Sequence, residues 1–435
     1  MTTTWHEHAI FWHVYPLGFV GAEPVLPEGA VVEHRLRHLI GWLDYAVELG
    51  VSGLLLGPIF TSHSHGYDTI DYFTIDPRLG DRADFDALVA AAHERGLKIV
   101  LDGVFNHVGS RYPAFLTALD GGPADHDADL FRLTWPDDGA RPPEYATFEG
   151  HQGLVALNHA APAVAELVTE VMRYWLRAGA DGWRLDAAYA VPPAFWASVL
   201  PVVRAEFPDV YVVGEVIHGD YAEIVTTSGM DAVTQYELWK AIWSAVSDRN
   251  LYELAHALGR HDGFLETFAP MTFVGNHDVT RIASRLSYRR HLEHALVVLF
   301  TVGGTPSVYY GDEQGLEGIK EERLGGDDAI RPPFPASPDD LPLTGWPVYA
   351  VHQELIGVRR RHPWLHRART TVLELANEWM AYEVTAGAER LVVVLNLAGE
   401  PVDLPVGEVG EVMAGAAQLG EATARLTANG WAILH

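Results

Sequence analysis

The sequence contains no cysteine among its 435 residues. Disulfide bonds, metal sites built from thiolates and catalytic cysteine nucleophiles are therefore all excluded. For the same reason the chain carries no direct indication of the redox compartment in which it works.

Basic residues are also scarce. The chain has 30 Lys and Arg residues against 58 Asp and Glu residues, and its formal net charge is -28. Such a charge repels the phosphate backbone of nucleic acids and anionic lipid headgroups. We therefore expect neither nucleic acid nor a membrane as a partner, whereas a neutral ligand is compatible with this composition.

The sequence lacks a hydrophobic run long enough to cross a bilayer. Its most apolar segment, His294 to Tyr310, is interrupted by Gly303, Gly304 and Pro306, and it predicts a buried helix followed by a strand. The first residues have no basic cluster and carry histidines where a signal peptide would be apolar. We therefore expect an unexported, cytoplasmic protein.

Short apolar runs recur along the chain, separated by segments with helical spacing such as residues 84–96 and 163–179. Apolar runs of about four to eight residues without polar alternation are typical of parallel strands buried on both faces. The regular alternation predicts an α/β fold, a (β/α)8 TIM barrel. The candidate strands are Ile10–Tyr15, Gly53–Ile59, Lys98–Val104, Gly182–Ala187, Val210–Val216, Ala232–Leu238, Thr272–His277 and Ser307–Asp312.

Two regions depart from this alternation. Residues 109–157 are rich in Pro, Gly and Asp, which predicts a small domain inserted after the third strand. The residues after Arg361 form shorter, alternating runs typical of an antiparallel β-domain. We therefore predict barrel segments at 1–108 and 158–362, an inserted domain at 109–157 and a C-terminal β-domain at 363–435.

Three acidic residues, Asp186, Glu215 and Asp278, follow candidate strands at the end where TIM barrels build active sites. Cleaving a glycosidic bond with retention requires a carboxylate nucleophile and a protonated acid on opposite sides of the anomeric carbon, about 5 Å apart. Asp186 and Glu215 could supply that pair. Burial and mutual repulsion would raise the pKa of the acid. Asp278 would bind sugar hydroxyls and favour the cation-like transition state.

Neighbouring residues fit the same chemistry. Arg184 lies two residues before Asp186, so it should point to the same face of the strand and hold the nucleophile ionised. His107 and His277 would donate hydrogen bonds to hydroxyl groups around the cleaved sugar. Tyr236 and Trp239 could line an acceptor site, although core packing explains them equally well.

Other interpretations remain open. Each acid taken alone could be a helix N-cap or half of a strand-end ion pair. His63 and His65 suggest a metal-dependent hydrolase on the same barrel, but no further histidines and acids follow in the order such sites use. A non-catalytic barrel acting as a binding subunit is a third hypothesis, which the loss of an acid would favour.

The segments DGVFNH, GWRLDAAY, GEVIH and FVGNHD resemble, in order, the four signature regions of the alpha-amylase family, glycoside hydrolase family 13. HGYDTIDYF and GGTPSVYYGDE resemble two flanking regions. The resemblance implies that Asp186 is the nucleophile, Glu215 the general acid/base and Asp278 the transition-state stabiliser. The substrate-binding residues that it implies are Tyr67, Asp102, His107, Arg184 and His277. It also identifies the insert with domain B and the tail with the β-sandwich domain C of that family.

One departure from the family concerns the residues that bind the acceptor-side sugar, which is the leaving group in hydrolysis. Many members carry Lys and His just after the nucleophile's Ala-Ala, where they bind the acceptor-side sugar, and this chain has Tyr189 and Ala190. Tyr189 is therefore a further candidate substrate-binding residue. The GWRLD and GEVIH forms resemble the neopullulanase, cyclomaltodextrinase and maltogenic-amylase branch, although the extra N-terminal β-domain usual there is not expected, because the first strand begins near Ile10.

The resemblance implies a retaining glycosidase that cleaves α-1,4 or α-1,6 bonds in short or cyclic maltooligosaccharides, with a cyclic maltosyl-maltose as one specific substrate. Transglycosylation, or α-glucosidase activity on linear maltosaccharides, is the alternative within the family. A homodimer is compatible with this interpretation. Catalysis needs no cofactor or metal. A structural calcium ion is compatible with Asn106 and with Asp125, Asp127 and Asp129, although these aspartates could equally form a solvated loop.

Overall fold

The computed structural model describes residues 4–136, 142–323 and 325–435 of the chain. Within these residues the strands, numbered in chain order, are β1 Phe11–Val14, β2 Gly53–Leu56, β3 Phe60–Ser62, β4 Thr69–Ile75, β5 Lys98–Gly103, β6 His107–Gly109, β7 Leu133–Thr134, β8 Glu144–Tyr145, β9 Leu154–Ala156, β10 Gly182–Leu185, β11 Tyr211–Gly214, β12 Ala232–Val233, β13 Met271–Phe273, β14 Thr305–Tyr309, β15 Arg369–Leu375, β16 Trp379–Ala386, β17 Glu389–Asn396, β18 Val402–Pro405, β19 Val412–Gly415, β20 Gln418–Leu419, β21 Thr423–Leu426 and β22 Trp431–Leu434.

The α-helices of the same residues lie mainly between the parallel strands. They are α1 Pro16–Phe19, α2 Leu36–Ile40, α3 Leu43–Leu49, α4 Arg82–Glu94, α5 Pro113–Gly121, α6 Pro162–Arg177, α7 Pro193–Glu206, α8 Tyr221–Ser228, α9 Tyr236–Asp248, α10 Leu251–Phe264, α11 Ile282–Arg285, α12 Leu292–Thr301 and α13 Trp346–Arg361.

Eight parallel strands form the central barrel. They pair in the order β12, β11, β10, β5, β2, β1, β14, β13. A parallel bridge between Thr234 and Met271 joins the two outer strands and closes the ring. Every residue of these strands except Lys98 is buried, as expected for a barrel covered by helices outside and packed with side chains inside. The prediction of an α/β TIM barrel is confirmed, and each candidate strand overlaps one observed strand.

The candidate strands end later than the observed ones, and the difference is largest at β12. The sequence predicts a strand over Ala232–Leu238, whereas β12 ends at Val233 and α9 begins at Tyr236. The Gln235 side chain accepts a hydrogen bond from the Leu238 backbone N–H at 3.3 Å and so caps α9. This cap uses one of the free N–H groups of the first turn, which makes the change from strand to helix favourable.

Helix boundaries show the local signals that the sequence contains. The run predicted as helical over residues 84–96 forms α4, whose N-cap Asp81 accepts hydrogen bonds from Ala83 and Asp84 while the Asp84 carboxylate accepts from the Asp81 N–H. This reciprocal capping box satisfies backbone donors that a helix start leaves free. Gly96, just beyond the helix, has a φ of 75°, which glycine adopts without steric cost.

The segment between β5 and α6 contains α5 and two small antiparallel sheets, formed by β6 with β9 and by β7 with β8. The predicted insert, 109–157, falls on this segment, and β6 begins two residues before it. Residues 137–141 of the predicted insert lie outside the described residues. Because β6 continues from the third barrel strand, the insert is held directly above that strand end.

After α13 the chain forms two antiparallel sheets. One has five strands in the order β15, β16, β17, β22, β19, and the other has three in the order β18, β21, β20. Side chains from both sheets, including Val392, Val394, Leu404, Leu426 and Leu434, form one fully buried cluster. Two sheets that enclose a shared core constitute a β-sandwich, so the predicted fold of the C-terminal part is confirmed.

In residues 4–136, 142–323 and 325–435, no helix combines the length and the hydrophobicity needed to cross a membrane. The segment His294 to Tyr310 contributes to α12 and β14, and its residues in both elements are buried.

Candidate active site

Arg184, on β10, is the centre of a buried ion-pair network at the carboxyl ends of the barrel strands. Its side chain is 4% exposed, and its Nη1 atom donates to Asp102 Oδ2 at 2.5 Å. Its Nη2 atom lies 2.8 Å from Glu215 Oε1, whereas Nη1 is 3.6 Å from Asp186 Oδ1. One guanidinium thus gathers three acids that lie up to 113 residues apart in the sequence (Asp102 to Glu215).

These distances refine one prediction. The sequence predicts that the charge of Arg184 pairs with Asp186, and the two side chains do form an ion pair at 3.6 Å. The hydrogen bond of Arg184, however, goes to Asp102, and its ion pair with Glu215 is shorter. The reason is register, because Arg184 pairs with Asp102 across the adjacent strands β10 and β5. Side chains at paired positions of neighbouring parallel strands lie side by side.

Asp186 and Glu215 occupy the first positions after β10 and β11. Each is 7% exposed. Burial, reinforced by repulsion from Glu215, raises the pKa of Asp186 well above its usual value. Glu215 accepts hydrogen bonds from the Ala187 N–H at 3.0 Å and from the Tyr236 hydroxyl at 3.2 Å.

Asp278 lies across the cleft and is the most exposed of the three predicted acids, with 33% of its side chain accessible. Its Oδ1 atom accepts from Arg331 Nη2 at 2.9 Å, and its Oδ2 atom lies 2.9 Å from His277 Nε2. Although desolvation opposes ionisation, the interactions with His277 and Arg331 hold the pKa of Asp278 well below its usual range. Asp278 is therefore ionised at neutral pH.

Tyr67 connects the two sides of the site. Its hydroxyl donates to Asp102 Oδ2 at 3.0 Å and also contacts His277 Nε2. The rings of Tyr67 and His277 are parallel within 2°, with centroids 5.3 Å apart. Burial and the Asp102 charge raise the pKa of Tyr67 well above its usual value, so its hydroxyl stays protonated. The substrate-binding role that the resemblance implies for Tyr67 stays a prediction, and its ring lines the cleft.

His107 lies in the cleft wall, but both of its ring nitrogens have partners. Nδ1 accepts from Asn106 Nδ2 at 3.0 Å, which leaves the Nε2 hydrogen to bond the Tyr67 carbonyl at 2.9 Å. The ring stacks on Phe148 with centroids 4.8 Å apart. Burial lowers the pKa of His107 to about 4, so the ring is neutral at pH 7. The predicted donation to a sugar hydroxyl would require the bond to Tyr67 to break.

The acceptor-side candidates divide into two groups. Tyr189 lines the cleft, and its hydroxyl donates to Glu149 Oε1 at 3.0 Å. Tyr236 also lines the cleft and contacts Glu215. Trp239 instead packs on Phe273, with ring centroids 6.3 Å apart, and it is not part of the cleft wall.

The cleft has a volume of about 480 Å³, within the range of about 300–1,000 Å³ usual for small-molecule sites. The structure brings together Asp186, Glu215 and Asp278 with Tyr67, His107 and Tyr189 in its wall, while Asp102, Arg184 and His277 lie immediately beneath. The wall also includes residues that the sequence analysis did not identify, namely Phe148, Glu149, Ile217, Lys320, Asp327 and Arg331.

Some of these residues had a signal in the sequence and others had none. Lys320 and Asp327 belong to a charged run between β14 and α13, and a loop after a barrel strand is where binding residues are expected. Arg331 is 53 residues beyond Asp278, and no local pattern connects them. Glu149 lies in the insert, whose path over the barrel cannot be derived from periodicity.

Candidate metal ligands lie away from the cleft. In the part of the chain that the structure describes, groups of three potential ligands are formed by His34 with Asp81 and Asp84, and by Asp125 with His126 and Asp127. His63 and His65 belong to neither group, which removes the geometric basis for the metal-dependent hydrolase. Asp125 and Asp127 lie close together as the calcium hypothesis requires, whereas Asp129 lies outside the group.

Comparisons with known proteins agree with this geometry. Residues 35–340 match the family model described as the alpha amylase catalytic domain. The chain belongs to the alpha-amylase family. The predicted family, and with it a glycosidase acting on α-glucosidic bonds, is therefore confirmed.

Individual relatives indicate the branch of the family. The chain is 30% identical to a cyclomaltodextrinase from Geobacillus thermopakistaniensis (strain MAS1), in an alignment 427 positions long that covers 92% of this chain and 71% of the relative. The structure is similar to the ligand-free cyclic alpha-maltosyl-(1→6)-maltose hydrolase from Arthrobacter globiformis, with a TM-score of 0.83, 28% identity and 99% of each chain covered. It is equally similar to the acarbose-soaked debranching enzyme of Nostoc punctiforme, with a TM-score of 0.83, 28% identity and 99% of each chain covered.

Proposed function

We propose that this alpha-amylase family member hydrolyses α-glucosidic bonds of short or cyclic maltooligosaccharides with retention of configuration. The observation that carries the proposal is the Arg184 network, which holds Asp186 and Glu215 around one guanidinium at the floor of the cleft. Two carboxyl groups within 4 Å of one guanidinium are compatible with a double displacement through a glycosyl-enzyme, the retaining mechanism that the family implies.

The roles of the three acids are those that membership of the alpha-amylase family implies. Asp186 attacks the anomeric carbon, and Glu215 protonates the oxygen of the leaving sugar. Glu215 then removes a proton from the water that hydrolyses the glycosyl-enzyme. The ionised Asp278 binds hydroxyl groups and stabilises positive charge on the sugar ring.

The substrate class is supported by the relatives. A cyclomaltodextrinase, a cyclic alpha-maltosyl-(1→6)-maltose hydrolase and a debranching enzyme are named for cyclic glucans or for branched ones. Within this class we propose a cyclic maltosyl-maltose as a specific substrate. The alternatives are transglycosylation and α-glucosidase activity on linear maltosaccharides, which use the same glycosyl-enzyme and differ in the acceptor that reaches it.

Several further predictions accompany this proposal. A relative named intracellular maltogenic amylase from Bacillus subtilis supports the predicted cytoplasmic location. The possible homodimer, the absence of a required cofactor and the structural calcium ion near Asp125 stay predictions. Size-exclusion chromatography with light scattering, and metal analysis of the purified protein, would test them.

The first experiment measures hydrolysis of 4-nitrophenyl α-glucoside and of maltotriose by the wild type, Asp186→Asn and Glu215→Gln. Each substitution is expected to lower kcat/KM by several powers of ten, because each removes one member of a concerted set. Glu237→Gln is the matched control. Glu237 carries an exposed carboxylate that pairs with Arg260, and it should retain full activity. Near wild-type turnover by either acid variant would contradict the assignment.

The second experiment defines the bond and the substrate. Product analysis with cyclodextrins, pullulan, maltotriose, panose and cyclic maltosyl-maltose would separate α-1,4 from α-1,6 cleavage and hydrolysis from transglycosylation. Following the anomer first released by NMR tests retention directly. Release of the inverted anomer would refute the double displacement.

A further inference from the structure

Two non-glycine residues in the wall of the catalytic cleft adopt the left-handed backbone conformation. Glu149 has a φ of 48° and Ala187, the residue after the nucleophile, has a φ of 45°. Left-handed backbone is unfavourable for side chains other than those of Gly, Asn and Asp. Such residues cluster at sites where function requires their position. The Ala187 conformation is explained, because its N–H donates to Glu215.

The conformation of Glu149 results from a tight turn. The His151 N–H donates to the Phe148 carbonyl at 2.9 Å, and both residues between them, Glu149 and Gly150, have positive φ. This pattern matches a type I′ turn, in which Asn, Asp or Gly is preferred at the position that Glu149 occupies. Phe148 stacks on His107 and so fixes the turn against the barrel. Local preference therefore does not explain a glutamate here.

The carboxylate of Glu149 is directed by a residue of the nucleophile's own loop. Tyr189 lies in the short 3-10 turn Ala188–Ala190, three residues after Asp186. Its hydroxyl donates to Glu149 Oε1 at 3.0 Å and is, in the described part of the chain, the one donor found for this carboxylate. Glu149 is exposed and lines the cleft, so it retains acceptor capacity for a ligand.

The positions of Glu149 and Tyr189 indicate which sugar of the substrate they contact. The ring of Tyr189 lies 5.1 Å from the ring of His218, three residues beyond Glu215. Asp278 and Arg331 lie on the other side, where the sugar ring under attack is held. Because Glu215 gives its proton to the leaving oxygen, the leaving sugar must lie on the Glu215 side. Glu149 and Tyr189 are therefore beside that sugar.

Resting on the proposed function, we propose that Glu149, oriented by Tyr189, binds hydroxyl groups of the leaving-side sugar and determines which saccharides this enzyme releases or accepts. A carboxylate can accept two hydrogen bonds from neighbouring hydroxyl groups of a neutral sugar, and hydrogen bonds to a charged acceptor are stronger than neutral ones. In transglycosylation the same contacts hold the incoming acceptor.

The test compares a substrate that has a sugar as leaving group, maltotriose, with one that has none, 4-nitrophenyl α-glucoside. For Glu149→Ala the ratio of kcat/KM for maltotriose to kcat/KM for the aryl glucoside is expected to fall by about 10- to 100-fold, as the loss of one or two charge-assisted hydrogen bonds would produce. Glu149→Gln and Tyr189→Phe should lower the ratio less, because each keeps part of the interaction. Glu144→Ala, an exposed carboxylate of the same insert outside the cleft wall, is the matched control and should leave the ratio unchanged.

A further variant separates function from stability. Glu149→Gly removes the carboxylate but suits the positive φ, so Tm should rise while the ratio falls as in Glu149→Ala. If Glu149→Ala loses activity equally on both substrates, so that the ratio is unchanged, the inference is overturned. Activity of the wild type on these substrates would in that case still support the proposed function. A wild type that cleaves neither substrate would overturn the proposed function, and this inference with it.

Discussion

Replacement of Arg184 by methionine tests the electrostatics of the site most directly. Met has a similar length but no charge, so Asp102, Asp186 and Glu215 would lose the buried cation that they share. The separation of 3.6 Å between Arg184 and Asp186 corresponds to about 4 to 5 kcal/mol at an effective dielectric constant of about 20. This energy equals a rise of about 3 units in the pKa of Asp186.

Such a rise would protonate the nucleophile at neutral pH. Because the fraction of ionised Asp186 falls tenfold for each pH unit below its pKa, we expect kcat/KM of Arg184→Met at pH 7 to fall about 1,000-fold or more. The assay is the pH dependence of kcat/KM for 4-nitrophenyl α-glucoside. The acidic limb of the profile should move to higher pH, and part of the activity should return as the pH rises.

Arg184→Lys is the matched variant for this measurement. Lysine keeps the charge but not the two-pronged geometry, so its acidic limb should move less than that of the methionine variant. Thermal unfolding of both variants is needed, because removing one partner of a buried ion pair costs about 3 to 5 kcal/mol of stability. A loss of equal size at every pH, with the acidic limb unmoved, would refute the electrostatic reasoning and leave Arg184 a purely structural role.

Three further predictions concern other parts of the molecule. Arg331→Gln removes the donor to Asp278 Oδ1 and should lower kcat/KM for maltotriose about 10- to 100-fold. The acidic limb of its pH profile should move to higher pH, and an unchanged profile would contradict this prediction. Burial lowers the pKa of His352 to about 4 in the folded protein. Between pH 6.5 and pH 4 the unfolded chain therefore binds a proton at His352 that the folded chain does not, and the free energy of unfolding decreases as the pH is lowered. His352→Leu should therefore reduce the difference in free energy of unfolding between pH 7 and pH 4, measured with urea, by up to about 3 kcal/mol, and an unchanged difference would exclude His352 as a source of acid lability. EDTA should leave maltotriose turnover unchanged, and a loss of activity that calcium restores would show that the group around Asp125 supports the active fold.

Much of the barrel could be predicted from the sequence because its strands are buried on both faces. Such strands appear as uninterrupted apolar runs, and each of the eight candidate runs overlaps an observed strand. Strand ends were less certain, as the early change to helix at Gln235 illustrates. Apolar runs indicate burial but not the backbone conformation, and the side-chain cap that starts α9 has no distinctive spacing.

Asp186, Glu215 and Asp278, and several of the residues around them, were also identified from the sequence. The carboxyl ends of parallel strands meet at one face of a barrel, so polar residues at those ends must come together whatever the loops do. The resemblance to the alpha-amylase family added the roles that position alone could not assign.

Contacts between distant segments were decided by the tertiary structure. The hydrogen bond of Arg184 to Asp102 follows from the register of neighbouring strands. The ion pair of Arg184 with Glu215 is shorter than that with Asp186. The approach of Arg331 to Asp278 and of Glu149 to Tyr189 depends on the paths of long loops. Local sequence therefore determined the strands and the acids that follow them, because burial and chain direction act on neighbouring residues. Tertiary packing decided the partner of each acid, because those partners come from loops whose positions depend on the whole barrel.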